Sequence, residues 1–171
     1  MATEDLAVRI ARLEAVDAIR GVMADYCHFY DVGWEGAGEN ADRVADLFLE
    51  DGVWDGGSAG RHVGRQDIRD TCAMLGRMAE MSVHIMMNPK IDVRGDEAEG
   101  SWNGFIPLAR EGDAMWICGR YECQFRKVGE AWKIAHMRFF TAFQTPYHEG
   151  FARIRIMGEE DGAAERPAAN A

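Results

Sequence analysis

The stretch MADYCHFYDVGWEG, residues 23–36, closes an apolar-striped segment with two phenols and a carboxylate, Tyr26, Tyr30 and Asp31. A phenol donates a hydrogen bond or a proton to an oxygen, and a carboxylate accepts, orients a base or serves as one. Three such groups at one helix end are either solvated trim or half of a site. A second half is offered by the strand-like run MSVHIMMNPKIDV, in which His84, Met86 and Asn88 share one parity and Val83, Ile85 and Met87 the other. Pro89 interrupts that run, and a proline inside a strand pattern marks a bulge that flips parity between the two halves. With that bulge, His84, Met86 and Asn88 face the enclosed side together with Ile91 and Val93. In the run AWKIAHMRFFTAF, Trp132 and Ile134 begin on the buried face, and the same parity carries His136, Arg138 and Phe140 inward.

The elements that must position these groups follow from periodicity. Leu6, Ile10, Leu13, Val16, Ile19, Met23, Tyr26 and Tyr30 recur every three or four residues and predict a long first helix, with Thr3 as its cap and Glu4 and Asp5 at its positive end. After the glycine-rich break, ADRVADLFLEDG predicts a short second helix through Val44, Leu47 and Phe48, with a turn at Asp51-Gly52. VWDGG reads as a strand and GRQDIRDTCAMLGRMAE as a third helix through Ile68, Cys72 and Leu75. Four longer strand segments follow, separated by RGDE, REGD and KVGEA. Helices first and a meander after them predict an α+β fold, with three helices against one face of a curved, mixed sheet of about four to six strands. The pattern fades after residue 145, so residues 1–145 are expected to form one domain and residues 146–171 a mobile C-terminal extension.

Composition narrows the partners. The chain has 171 residues, 47% hydrophobic and 28% charged, which suits one folded domain. With 19 Lys and Arg against 29 Asp and Glu, its net charge of −10 argues against nucleic acid and anionic membranes. No apolar run is long enough to span a bilayer, the N-terminus lacks the order of a signal peptide, and a cytoplasmic address is expected. The four cysteines form no CxxC pair and read as buried free thiols. His28 and His62 have no partner at metal-ligand spacing, so no metal is expected. An apolar convex face of the sheet predicts a homo-oligomer, a dimer or a trimer.

Four segments carry a resemblance: YCHFYD closing the first helix, GRHVGRQDIRD, VHIMMNPKIDVRGDEAEG and GRYECQFRKVGEAWKIAHMRF. Together they resemble the SnoaL-like and scytalone-dehydratase-like branch of the nuclear transport factor two-like superfamily over about residues 6–145. The resemblance implies a cone of curved sheet closed by helices around one internal pocket. It also implies a dyad, because dehydratase and dehydrochlorinase members pair an aspartate at the end of the first helix with a histidine on the first long strand, and Asp31 and His84 stand at those positions. Tyr30 sits beside Asp31 as in the dehydratase, and Arg138 resembles the last-strand arginine of the dehydrochlorinase. The dehydrochlorinase's first-helix lysine is absent, and His136 is the nearest counterpart to the dehydratase's second histidine.

On that basis His84 is expected to abstract a proton and Asp31 to orient it, with Tyr30 or Tyr26 donating to a leaving hydroxyl or holding a substrate oxygen and Arg138 stabilising an oxyanion. Met23, Trp54, Met86, Trp102, Phe105, Trp116 and Phe140 would form the walls, with Asn88 and His136 as further contacts. This inventory fits a lyase without a cofactor acting on a hydrophobic, aromatic small molecule, by water loss, a related elimination or retro-aldol cleavage. Two rivals remain. One is a binding module or the small subunit of a ring-hydroxylating dioxygenase. The other is an isomerase or cyclase in the same pocket. The bland alternatives are local: Asp31 could simply bond backbone at the helix end, and Arg138 could pair with Asp55.

Overall fold

The computed structural model describes residues 5–158. Helix α1 (Leu6–Tyr30) is capped by Asp5, whose side chain accepts from the Ala7 N–H; Thr3 and Glu4 lie outside the described residues. The helix buries Ile19, Met23, Tyr26 and Phe29, while Leu6, Ile10 and Leu13 stay exposed. The apolar stripe is therefore continuous in sequence but engages the body only through its second half.

Helix α2 (Ala41–Asp46) is capped by Asn40 and stops before Phe48, which instead begins strand β1 (Phe48–Asp55) as a fully buried core residue. Asp51-Gly52 is likewise no turn. It lies inside β1, where the pairing register shifts between Phe48 and Val53. Strand β2 (Arg61–Val63) folds back on β1 and leads through Gly64, at φ 87°, into helix α3 (Arg65–Met78), which buries Ile68, Thr71 and Cys72. Strands β3 (Met81–Ser82), β4 (Ile85–Arg94), β5 (Glu97–Arg110), β6 (Asp113–Val128) and β7 (Ala131–Pro146) complete the chain.

These strands form one seven-stranded sheet ordered β2-β1-β7-β6-β5-β3, with β4 also on β5. β1 and β7 run parallel and the remaining pairs antiparallel, so the sheet is mixed. The count exceeds the expected four to six because the run from Met81 divides: β3 pairs with Leu108 and Ala109, β4 with residues 97–105, and His84 falls in the gap. The sheet curls around α1, and its concave face supplies Ala98, Trp102, Ile106, Tyr121, Cys123, Phe125, Trp132, Ile134, Met137 and Phe139 to the core. Gly104 and Gly119 are partners across β5 and β6. A Cβ on Gly104 would lie 2.5 Å from the Tyr121 ring and one on Gly119 2.6 Å from the Phe139 ring, so the missing side chains leave room for both rings.

Bulges decide which side chains enter the enclosed space. β4 shifts register between Met87 and Lys90, with Asn88 at φ 54°; Met86 lies inward before the shift, and Ile91 and Val93 after it. β7 carries an extra residue at Ala135, since Phe125 pairs with Ile134 and Gln124 with His136. That residue inverts the expected parity: Met137 and Phe139 are buried, and His136, Arg138 and Phe140 turn to the outer face. The outer face is polar along its middle, with Arg120, Glu122, Gln124 and Arg126 alternating along β6.

Residues 147–158 turn over the end of β7, where Ile156 bridges Gln144 in parallel, the Met157 N–H bonds the Gln144 carbonyl and Phe151 stacks on Phe143. The remainder of the expected extension, from residue 159, lies outside the described residues. No helix among the described residues is long and apolar enough to cross a membrane.

Candidate functional site

α1 ends where Asp31 leaves helical geometry, at φ −67° and ψ 142°, while its N–H still bonds the Cys27 carbonyl. The next residue, Val32, bridges antiparallel to Ser82, and the Ser82 N–H reaches the Val32 carbonyl at 3.0 Å. This short ladder draws the β3–β4 junction against the helix end. Asp31 Oδ1 accepts two hydrogen bonds there, from the His84 backbone N–H at 2.7 Å and from His84 Nδ1 at 2.9 Å. The side chains are only 8% and 10% exposed, so water competes little for the pair. In the neutral ring, donation of Nδ1–H to the carboxylate leaves the Nε2 lone pair free, the tautomer a base requires.

Around this pair stand three phenols. Tyr30 stacks on the His84 ring at 5.0 Å and 12°, and Tyr26 meets the same ring edge-on at 6.1 Å. Tyr121 lies edge-on to Tyr26 at 6.2 Å and against Phe139 at 4.6 Å. Burial pushes all three phenols well above their usual range, which keeps them protonated as donors. Burial also pushes the Cys27 and Cys72 thiols up to about 12, which keeps them as thiols. The Tyr26 hydroxyl accepts from Trp54 Nε1 at 3.0 Å.

Tyr26, Tyr30, Trp54, His84 and Tyr121 line a cavity of about 430 Å³, whose walls also include Leu75, Met78, Ile106, Leu108, Ile117 and Phe139, with Arg110 and Gln144. The volume suits a small organic molecule. Of the residues singled out in the sequence, Tyr26, Tyr30, Trp54 and His84 line this cavity, with Asp31 directly behind His84. The others do not. Met86 and Trp102 pack in the core, Trp102 against Phe125, and Met23 is buried beneath the helix. Asn88 is exposed at the β4 bulge. Phe105 and Trp116 stack on each other at 5.2 Å outside the sheet, Trp116 leaning on Tyr147.

His136, Arg138 and Phe140 share an outer groove, where Arg138 lies 4.4 Å over the Phe140 ring and 3.5 Å from the Asp55 carboxylate. The Arg138 side chain is half exposed. Arg138→Ala is accordingly expected to leave turnover within about twofold and stability within about 1 kcal/mol, read from kcat and the thermal midpoint. Tyr121 and Phe139 are lining residues that were not singled out. Tyr121 had a signal, since it alternates in phase with Cys123 and Phe125; Phe139 had none, because the bulge at Ala135 is not marked by Pro or Gly.

A cone-like α+β body with a buried Asp–His pair beside a cavity has the cystatin-like fold. The SnoaL-like domain profile matches residues 11–138, and the chain belongs to that family. Among solved structures it is similar to the hexachlorocyclohexane dehydrochlorinase LinA-type3 from Novosphingobium barchaimii, with a TM-score of 0.71 and 18% identity over 81% of this chain and 93% of the other. A candidate scytalone dehydratase from Novosphingobium aromaticivorans gives 0.70 and 22% over 88% and 97%. An NTF2-like protein with a cystatin-like fold from the same species gives 0.65 and 20% over 89% and 96%. At such identities the likeness is one of fold. No curated protein matches the sequence significantly.

Proposed function

We propose that this protein is a cofactor-independent lyase acting on a hydrophobic, aromatic small molecule, by water loss, a related β-elimination or retro-aldol carbon–carbon cleavage. The observation that carries the reading is the 2.9 Å bond from His84 Nδ1 to Asp31 Oδ1 beside the cavity. His84 Nε2 is the base, and it takes a proton from a carbon made acidic by a neighbouring carbonyl. Asp31 holds the tautomer and stabilises the imidazolium as it forms. The surrounding phenols hold the carbonyl oxygen while it gains charge. A homo-oligomer belongs to the same proposal, supported by the exposed Leu6, Ile10 and Leu13 on α1 and by Phe140 outside the sheet.

Proton abstraction is measurable without knowing the leaving group. Propiophenone incubated with the protein in D₂O is expected to gain deuterium at the carbon beside its carbonyl, and His84→Ala to abolish the gain. Binding of the ketone by the wild type with no exchange would sink the lyase reading and leave the binding module in its place.

A further inference from the structure

We infer that His62 is a latch across the mouth of the cavity, one that holds tightest when its ring is protonated and so makes entry and exit depend on pH. The inference goes beyond the lyase reading and does not rest on it, since any molecule that uses the cavity must pass the same mouth.

Exposure locates the mouth. Among the residues that line the cavity only Ser58, Ala59, Met74 and Met78 are exposed, and the rest are buried or partly so. Ser58 and Ala59 belong to a single 3₁₀ turn, Gly57–Ala59, between β1 and β2, and Met74 and Met78 lie one helical turn apart on α3. The way in therefore runs between the turn and the helix. Glycines at 56, 57 and 60 can absorb a change of backbone angle there. Among the described residues the backbone N–H groups from Gly56 to Gly60 bond no further than residues 55–60.

The ring of His62 spans the gap. Its Nε2 stands 3.2 Å from the Ala59 carbonyl oxygen, and its Nδ1 stands 3.1 Å from Asp67 Oδ1 and 2.9 Å from Thr71 Oγ1, both on α3. A carbonyl and a carboxylate only accept, so the ring donates to Ala59 and Asp67 at once only as the imidazolium. The neutral ring must choose. With its proton on Nδ1 it lets go of Ala59. With its proton on Nε2 it keeps Ala59 and takes the Thr71 proton, but the Asp67 oxygen then faces a lone pair at 3.1 Å. In either tautomer an attraction between the two sides of the mouth is lost.

The surrounding charges leave that choice to His62. Its hydrogen bond and that of the Val63 N–H, 3.1 Å from Oδ2, hold the Asp67 carboxyl below its usual range, so Asp67 stays ionised. Elsewhere on α3, Arg65 pairs with Glu50, and Arg69 with Asp42 and Asp70. On β1, Asp55 accepts from the Gly57 N–H at 3.1 Å and lies 3.5 Å from Arg138, and on β2 Arg61 is exposed. Among the described residues Asp67 is the one charged side chain bonded to the ring. Histidine is the side chain that gains and loses a proton near neutrality. The held form carries the extra proton, so acid closes the mouth and rising pH loosens it.

Hydrogen exchange and fluorescence quenching on the full chain test this together. Protection of the Ala59 and Gly60 amides, taken relative to the unstructured rate at each pH, is expected to fall about tenfold between about pH 5.5 and about pH 8, the scale of one charge-assisted bond. Quenching of Trp54 by acrylamide, read as the difference between the protein and Trp54→Phe, should quicken over the same interval, because Trp54 lines the cavity and is only 6% exposed. His62→Gln, which carries no charge, should show the lower protection and the faster quenching at both pH values. Asp67→Asn should lose most of the change, with its amide oxygen still taking the Val63 N–H. His84→Gln, which removes the histidine that lines the cavity, should keep the change. A wild-type turn equally protected at both pH values would overturn the latch, as would the same change in His62→Gln or its loss in His84→Gln. A turn that loosens while Trp54 stays as shielded as before would overturn the control of entry.

Discussion

Replacing His84 with alanine is expected to lower kcat by about 10²–10⁴-fold, the contribution of a positioned general base, while the folded protein keeps its secondary structure and melts within a few degrees of the wild type. His84 covers little apolar surface, and its backbone N–H still reaches Asp31 in the variant. Asp31→Asn is the finer instrument. The amide oxygen accepts from the His84 backbone and ring as the carboxylate did, so the loop stays in place, but it stabilises an imidazolium far less well. We expect kcat to fall by about a hundredfold or more with little change in ligand affinity. Asp31→Ala, by contrast, strands both donors in a buried setting and should cost about 1–3 kcal/mol of stability besides. If the carboxylate served only to fasten the chain, Asp31→Asn would retain full turnover, and the rate of deuterium exchange into propiophenone would show it.

The second large effect lies two residues beyond. Gly33→Ala is expected to cost about 3 kcal/mol, through a conformation that L side chains rarely adopt and a collision with backbone that cannot yield. Gly33 sits at φ 81°, and a Cβ there would stand 1.8 Å from the Glu80 carbonyl oxygen. The contact lies beside the Val32–Ser82 bridge that brings Asp31 to His84. The chain can relieve the clash only by moving the helix end away from the β3–β4 junction, so activity should fall along with the melting temperature. Calorimetry and turnover read together would test this: an unchanged midpoint would mean the loop has room that its geometry denies, and a lower midpoint with normal turnover per folded molecule would mean the bridge does not hold the dyad.

The chain order of helices and strands was legible because it rests on local chemistry: the stripe from Ile19 to Tyr26, the period through Ile68 and Cys72, and turns at glycine. The meeting of Asp31 with His84 came from resemblance rather than periodicity. The β4 bulge was readable through Pro89, which cannot donate to a ladder. The one at Ala135 was not. An alanine leaves no mark of an extra residue, so parity counted from Trp132 carried Arg138, His136 and Phe140 to the wrong side, and Met137 and Phe139 with them. The outward stack of Phe105 on Trp116 shows a different limit: aromatic type reports a preference for contact, but only the strand's phase says on which face the contact is made. Phe48 shows a third, where the demand of the core for an extended residue overrode a helical pattern only six residues long.

The parallel pairing of β1 with β7 orders the assembly of the molecule in time. Phe48 lies opposite Ile134, 86 positions later (134 − 48), whereas β5, β6 and β7 follow one another through tight hairpins. Neighbouring strands can zip as soon as they are made, but closing a loop of that length costs more entropy and must wait for the last strand to leave the ribosome. Trp54 travels on β1. Until that strand docks, Tyr26 has no indole beside it and the cavity lacks a wall, so a newly synthesised chain can hold its meander and its first helix while still being unable to bind. The gain of function then coincides with the final closure of the sheet, and a chain truncated within β7 would retain most of its hairpins but never complete its site.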